Sequence, residues 1–166
     1  MGGKGSKEKG PGRKQQKVQA ELLEAVKSNC VTSVERALDS GKADVNFHYP
    51  EWSGRTALHL AVWDYFGGRS NPEITKVLLD AGADVNARNE MMDTPLHTAC
   101  VSASHECVRL LCTAGADVYA KTDKVDGQRT PMQKCGLSPD ASKEATQLCK
   151  EELKAFMGNT SGNDEL

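Results

Sequence analysis

Four histidines and six cysteines are the side chains with the widest chemical range in this 166-residue sequence. A histidine can carry protons near neutral pH or bind a metal, and a cysteine thiolate can be a nucleophile or a zinc ligand. Spacing decides whether either chemistry is on offer. His59 stands in Arg55-Thr-Ala-Leu-His-Leu-Ala61 and His97 in Asp93-Thr-Pro-Leu-His-Thr-Ala99, the same place in two related segments, while His48 and His105 are isolated. The cysteines at 30, 100, 107, 112, 135 and 149 form no Cys-x-x-Cys pair, and no Cys/His cluster has the short ligand spacing of a zinc site. Buried thiols of this kind behave as small hydrophobes. There is no Gly-x-Ser-x-Gly elbow, no phosphate-cradling glycine loop followed by lysine, and no kinase or deaminase signature. With no convergent acid, base and nucleophile, the chain is expected to be no enzyme and to need neither metal nor cofactor.

The elements that carry these residues repeat. Val77-Leu-Leu-Asp-Ala-Gly-Ala-Asp-Val-Asn86 returns as Leu110-Leu-Cys-Thr-Ala-Gly-Ala-Asp-Val-Tyr119, with Asp84 and Asp117 spaced by 33 residues. An earlier, divergent copy reads Ala37-Leu-Asp-Ser-Gly-Lys-Ala-Asp-Val-Asn46, and a weaker Arg129-Thr-Pro-Met-Gln-Lys-Cys135 follows the two His-bearing segments. These residues resemble ankyrin repeats over roughly residues 18–157. The resemblance implies an all-α solenoid of about four helix–turn–helix units with extended fingers between them: 18–46, 47–86, 87–119 and 120–157. A basic tail, 1–17, expected to be disordered, and a polar tail, 158–166, flank it. Relative to the repeat pattern, unit two carries extra residues before Thr56 and between its helices, and unit four has Gln133 in place of the histidine.

Local signals agree with that layout. Thr94-Pro95 is a helix start, its hydroxyl capping free N–H groups and its proline suited to the first turn, and Thr130-Pro-Met-Gln133 has the capping-box pattern. Gly82 and Gly115 stop the second helices of units two and three. The predicted helices are 19–28, 31–39, 56–65, 72–81, 94–102, 104–113, 130–136 and 140–157. Since a single unit cannot bury both sides of a helix pair, stability must come from stacking, with charged outer stripes on the first and last units acting as caps.

The resemblance also assigns roles. Thr56, His59, Thr94 and His97 are implied to be structural, each imidazole bridging its threonine and neighbouring backbone. The finger tips and the residues just past each Thr-x-Leu-His start are implied to line a concave, partner-binding face. In unit two these are Trp52, Ser53, Arg55, Trp63 and Asp64, with Tyr65 beside them. In unit three they are Glu90, Met91, Met92, Asp93, Val101 and Ser102, with Met92 in place of the usual tip glycine. Six of the eight aromatic residues fall between 47 and 66, and Trp, Tyr, Met and Arg are the types that carry interface energy. The competing reading is that the inserted segment Trp63–Pro72 folds back, turning at Gly67-Gly68, and buries these rings against their own helices. The partner is expected to be an unidentified protein and the chain a monomer.

Composition separates a basic tail from an acidic body. Six bases (Lys4, Lys7, Lys9, Arg13, Lys14 and Lys17) face one acid in residues 1–17, leaving 15 bases and 22 acids in the remainder. Met1-Gly2-Gly3-Lys4-Gly5-Ser6-Lys7 fits the N-myristoylation pattern, with Gly2 as acceptor. A single myristoyl chain binds membranes at only ~10⁴ M⁻¹, so the six bases would supply the second signal toward an anionic leaflet. The alternative is a solvated basic tail that associates with nucleic acid or ribosomes, and nucleic acid is the less favoured partner. No run approaches the apolar length of a membrane span, the start does not read as a secretory signal, and unpaired cysteines suit a reducing compartment. The expected location is therefore the cytoplasm, at the cytoplasmic face of a membrane if Gly2 is acylated.

Overall fold

The computed structural model describes residues 13–63, 70–139 and 141–160. The helices among them are α1 (Arg13–Lys27), α2 (Val31–Asp39), α3 (Ala57–Ala61), α4 (Pro72–Asp80), α5 (Pro95–Val101), α6 (His105–Thr113), α7 (Pro131–Lys134) and α8 (Lys143–Thr160). No strand occurs among the described residues. The chain belongs to the all-α class, and its helices pack in two rows: α1, α3, α5 and α7 form one, each against the next, and α2, α4, α6 and α8 form the other. Cross-contacts α1–α2, α3–α4 and α5–α6 join the rows. Leu22, Val34, Leu58, Ile74, Leu78, Leu96, Leu111 and Leu153 are fully buried along the seam. Each such aliphatic side chain stabilises the stack by about 1.5–3 kcal/mol.

Three first helices start alike. Thr56, Thr94 and Thr130 are extended N-cap residues whose side chains and backbone N–H groups form capping boxes with His59, His97 and Gln133. Thr56 N–H donates to His59 Nδ1 at 3.2 Å and Thr94 N–H to His97 Nδ1 at 3.2 Å. That fixes Nδ1 as the acceptor and leaves the proton on Nε2. The Nε2 groups then reach into the next unit, to Asp93 O at 3.0 Å and Arg129 O at 3.1 Å. Gln133 performs the local half of this task, accepting from Thr130 N–H at 2.9 Å.

A second ladder runs through asparagines. Asn46 Nδ2 donates to Gly82 O at 3.2 Å while its Oδ1 accepts from Asp84 N–H at 2.7 Å. Asn86 repeats this toward Gly115 O at 3.3 Å and Asp117 N–H at 2.8 Å. The equivalent residue of the next copy is Tyr119, which is exposed. Gly82 and Gly115 take the left-handed conformation, at φ of +84° and +89°, that ends α4 and α6.

Several boundaries differ from the sequence expectation. Helix α1 begins at Arg13, inside the segment expected to be tail, because Gln15, Gln16 and Lys17 are good helix formers and Lys17 faces Glu21 one turn on at 4.0 Å. Helix α3 ends at Ala61 rather than 65: Trp63 N–H turns back to Leu60 O, and Ala61 O accepts from Asn71 N–H. Helix α7 stops at Lys134, since Cys135 leaves the helix with ψ of 120° and Gly136 follows at φ of +75°. Helix α8 starts after Ser142, whose hydroxyl accepts from Ala145 N–H, and runs to Thr160.

Candidate partner-binding surface

The finger tips are bonded edge to edge. Glu90 N–H donates to Ser53 O at 3.1 Å, joining the tips of fingers two and three, and Asp123 N–H donates to Met91 O at 3.2 Å, joining three to four. Arg88 Nη1 adds bonds to Met92 O at 3.0 Å and Lys121 O at 2.8 Å. Gly54, Met92 and Gln128, each two residues before a capping threonine, share positive φ values of +67°, +60° and +54°. Glycine takes that conformation freely, whereas a methionine must be held in it. The holding group is Asn89, whose Oδ1 accepts from Met91 N–H and Asp93 N–H, each at 2.9 Å, while its O accepts from Met92 N–H. As a result Met91 and Met92 project outward, 41% and 42% exposed, and Val125 on the next finger is 95% exposed. A recess of about 360 Å³ lies beside them, between fingers two and three, lined by His48, Pro50, Gly54, Arg88, Asn89 and Glu90.

The tryptophans are placed differently from the methionines. Trp52 sits on a 3-10 turn, Pro50–Trp52, half-buried, with Lys27 Nζ 6.0 Å from its ring. Trp63 is half-buried beneath the Arg55 guanidinium, which lies 4.3 Å from the ring centroid, while Arg55 Nη1 donates to Trp52 O at 3.4 Å. These stacks tie both rings to their own chain through cation–π contacts, worth about 0.5–1 kcal/mol each at exposed sites. Tyr49 is fully buried, its hydroxyl donating to Gln19 O at 3.1 Å and its ring edge-on to Phe47. Val101 and Ser102 are half-buried at the end of α5, with Val101 O accepting from Ser138 N–H. Asp64 and Tyr65 lie outside the described residues, as do Gly2, Lys4, Lys7 and Lys9; Arg13 and Lys14 open α1, and Lys17 is exposed on it.

Asp93 needs a correction. Expected on the binding face, it is buried, and its carboxylate accepts from Lys134 Nζ at 2.7 Å. Lys134 also lies 2.8 Å from Asp126 Oδ2, so one ammonium from α7 joins fingers three and four. Lys134 holds the Asp126 carboxyl below its ordinary pKa. Sequence reading missed Lys134, because a lysine in a short polar helix reads as solvated. It also passed over Asn46 and Asn86, although their recurrence at one place in two copies was a signal.

Thr56, His59, Thr94 and His97 are all buried. Burial pushes the His59 pKa down to about 4 and lowers that of His97, despite the carbonyl each imidazole bonds. Each ring is bonded at both nitrogens, to its own capping threonine and to the backbone of the next unit. Among the described residues, no group of three or more His, Cys, Asp or Glu is placed to hold a metal ion.

A family model described as Ankyrin repeats (3 copies) matches residues 22–122. The chain is 40% identical over 73 residues to the E3 ubiquitin-protein ligase KEG of Arabidopsis thaliana, a stretch covering 44% of this chain and 4% of that protein. It is 35% identical over 91 residues to the putative ankyrin repeat protein FPV014 of Fowlpox virus, covering 55% and 19% respectively. It is 51% identical over 61 residues to the transient receptor potential channel pyrexia of Drosophila melanogaster, covering 35% and 6%. The match thus spans a fifth or less of each of these relatives. Repeats of this kind are generally protein–protein interaction modules, typically without catalytic activity.

Proposed function

Given that the chain belongs to the ankyrin-repeat family, we propose that it is a non-enzymatic adaptor whose finger-tip edge captures a segment of a protein partner. The observation that carries this reading is the outward row of Met91, Met92 and Val125 on tips bonded into one edge. With the backbone of the tips already fixed by hydrogen bonds, only side-chain rotamer freedom is left to lose on binding. Trp52, Arg55 and Trp63 flank the row as a stacked group, and Val101 and Ser102 continue it along α5. A photo-crosslinking residue placed at 91 or 92 should capture a protein in cells, while one at Glu106, on α6 in the other row of helices, should not. Equal capture from both positions would remove the reading. With the captured partner in hand, Met91→Ala should weaken binding by about tenfold, the ~1.4 kcal/mol of one lost anchor, with no change in Tm.

The second element is the tail. The pattern from Gly2 to Lys7, followed by further bases, supports acylation of Gly2 and residence at an anionic membrane face. An alkyne-labelled myristate should enter the wild-type chain and not Gly2→Ala; label in both, or in neither, would leave a basic segment free to associate with polyanions.

A further inference from the structure

We propose that Cys100 and Cys135 form a peroxide-oxidisable dithiol that closes a disulfide between α5 and α7, the first helices of units three and four. This inference stands apart from the docking reading. One backbone hydrogen bond separates the two residues: Gly136 N–H donates to Cys100 O at 3.0 Å, immediately after Cys135. Peptide groups bonded in this way bring the Cα atoms into the range of about 4.4–6.8 Å that a disulfide spans. Both thiols lie in one buried core cluster, and the Cys135 Sγ donates to Pro131 O at 3.5 Å, one turn back. Gly136 packs directly against Thr146 of α8, where a Cβ would collide. Helix α7 is only four residues long, so Cys135 lies just beyond its end and its side chain can turn without unwinding a long element.

The pair is also asymmetric. Cys100 is fully buried, whereas Cys135 keeps 8% of its surface exposed and so offers the opening for a small oxidant. The neighbouring Cys100 side chain and the Lys150 ammonium lower the Cys135 pKa, against the effect of burial; burial raises that of Cys100. Cys135 is therefore the attacking thiolate and Cys100 the resolving thiol. The Cys135 sulfur attacks one oxygen of hydrogen peroxide, the O–O bond breaks, and hydroxide leaves and is protonated, giving a sulfenic acid. The Cys100 sulfur then attacks the Cys135 sulfur and the S–O bond breaks. The departing oxygen takes the Cys100 proton and leaves as water. Two thiols are oxidised and one peroxide is reduced to two waters. Cys149, in the same buried cluster, has its own pKa pushed up to about 12, mainly by burial.

The test uses the full native chain and hydrogen peroxide, followed by alkylation in denaturant and digestion without reduction. The expected result is a fall from six alkylable thiols to four and a peptide linking Cys100 to Cys135. That peptide should be absent from Cys135→Ser and retained in Cys149→Ser. Six thiols surviving, oxidation arresting on Cys135 alone, or a Cys135–Cys149 link dominating would each overturn the proposal. So would a Cys100–Cys135 yield no higher than that from chain oxidised in guanidinium, since native placement is the cause invoked. The measurement on wild-type protein decides the matter even if a serine variant fails to fold.

Discussion

Replacing Lys134 with methionine should lower the unfolding free energy by about 3–5 kcal/mol, the usual cost of removing one partner from a buried ion pair. The side chains involved are 7% exposed for Lys134, 10% for Asp93 and 20% for Asp126, so Asp93 is left with little water to turn to, while Asp126 keeps Arg129 at 3.7 Å. Methionine nearly matches the lysine stem in volume, which removes a cavity as the cause. The control is the triple variant Lys134→Met, Asp93→Asn, Asp126→Asn, in which no charge is stranded; it should recover more than half of the loss. Urea unfolding at pH 7 measures both. A single variant within 1 kcal/mol of wild type would show that water reaches the site and that the charges are not confined.

Acid should weaken the fold well above the pH at which carboxylates protonate. His59 has a folded pKa of about 4 against an ordinary value of 6.5. The unfolded chain therefore binds the extra proton first, and stability falls as pH drops from about 6.5 toward 4, then levels off for this group. The full effect is about 3 kcal/mol, at 1.36 kcal/mol per pH unit of difference. His97 acts in the same direction. The sequence contains its own control, because unit four caps Thr130 with Gln133. His59→Gln should keep the Thr56 cap, lose the bond to Asp93 O, and give a chain less stable at pH 7 but flatter between pH 6.5 and 4.5. Urea midpoints at three pH values test this; parallel pH profiles for the two proteins would mean that the imidazole titrates freely in the fold.

The fold was readable because its signals are local and repeated. Thr-Pro starts, leucine pairs, and the Gly82 and Gly115 stops recur in the same order, so each copy checks the others. The misjudged boundaries have local causes that do not repeat: α1 extends because nothing after Gly12 breaks it, and α3 ends early where the insertion of unit two departs. The surface was less readable because burial there depends on partners far along the chain. Asp93 reads as a finger-tip acid until Lys134 arrives from 41 residues away. Trp52 and Trp63 read as open anchors until Lys27 and Arg55 are laid over their rings. Met91 and Met92 were legible as surface residues because the bonds that turn them outward come from Asn89, close by.

The exposed Tyr119 gives the rod a direction. Junctions one–two and two–three are each clasped by an asparagine amide, a group that carries no charge and does not titrate. At junction three–four the clasp is absent, and an ammonium shared by two carboxylates stands close by. The last junction thus lacks the amide link that the other two share, and the last helix pair is expected to peel away first in urea, so that unravelling begins at the C-terminal side.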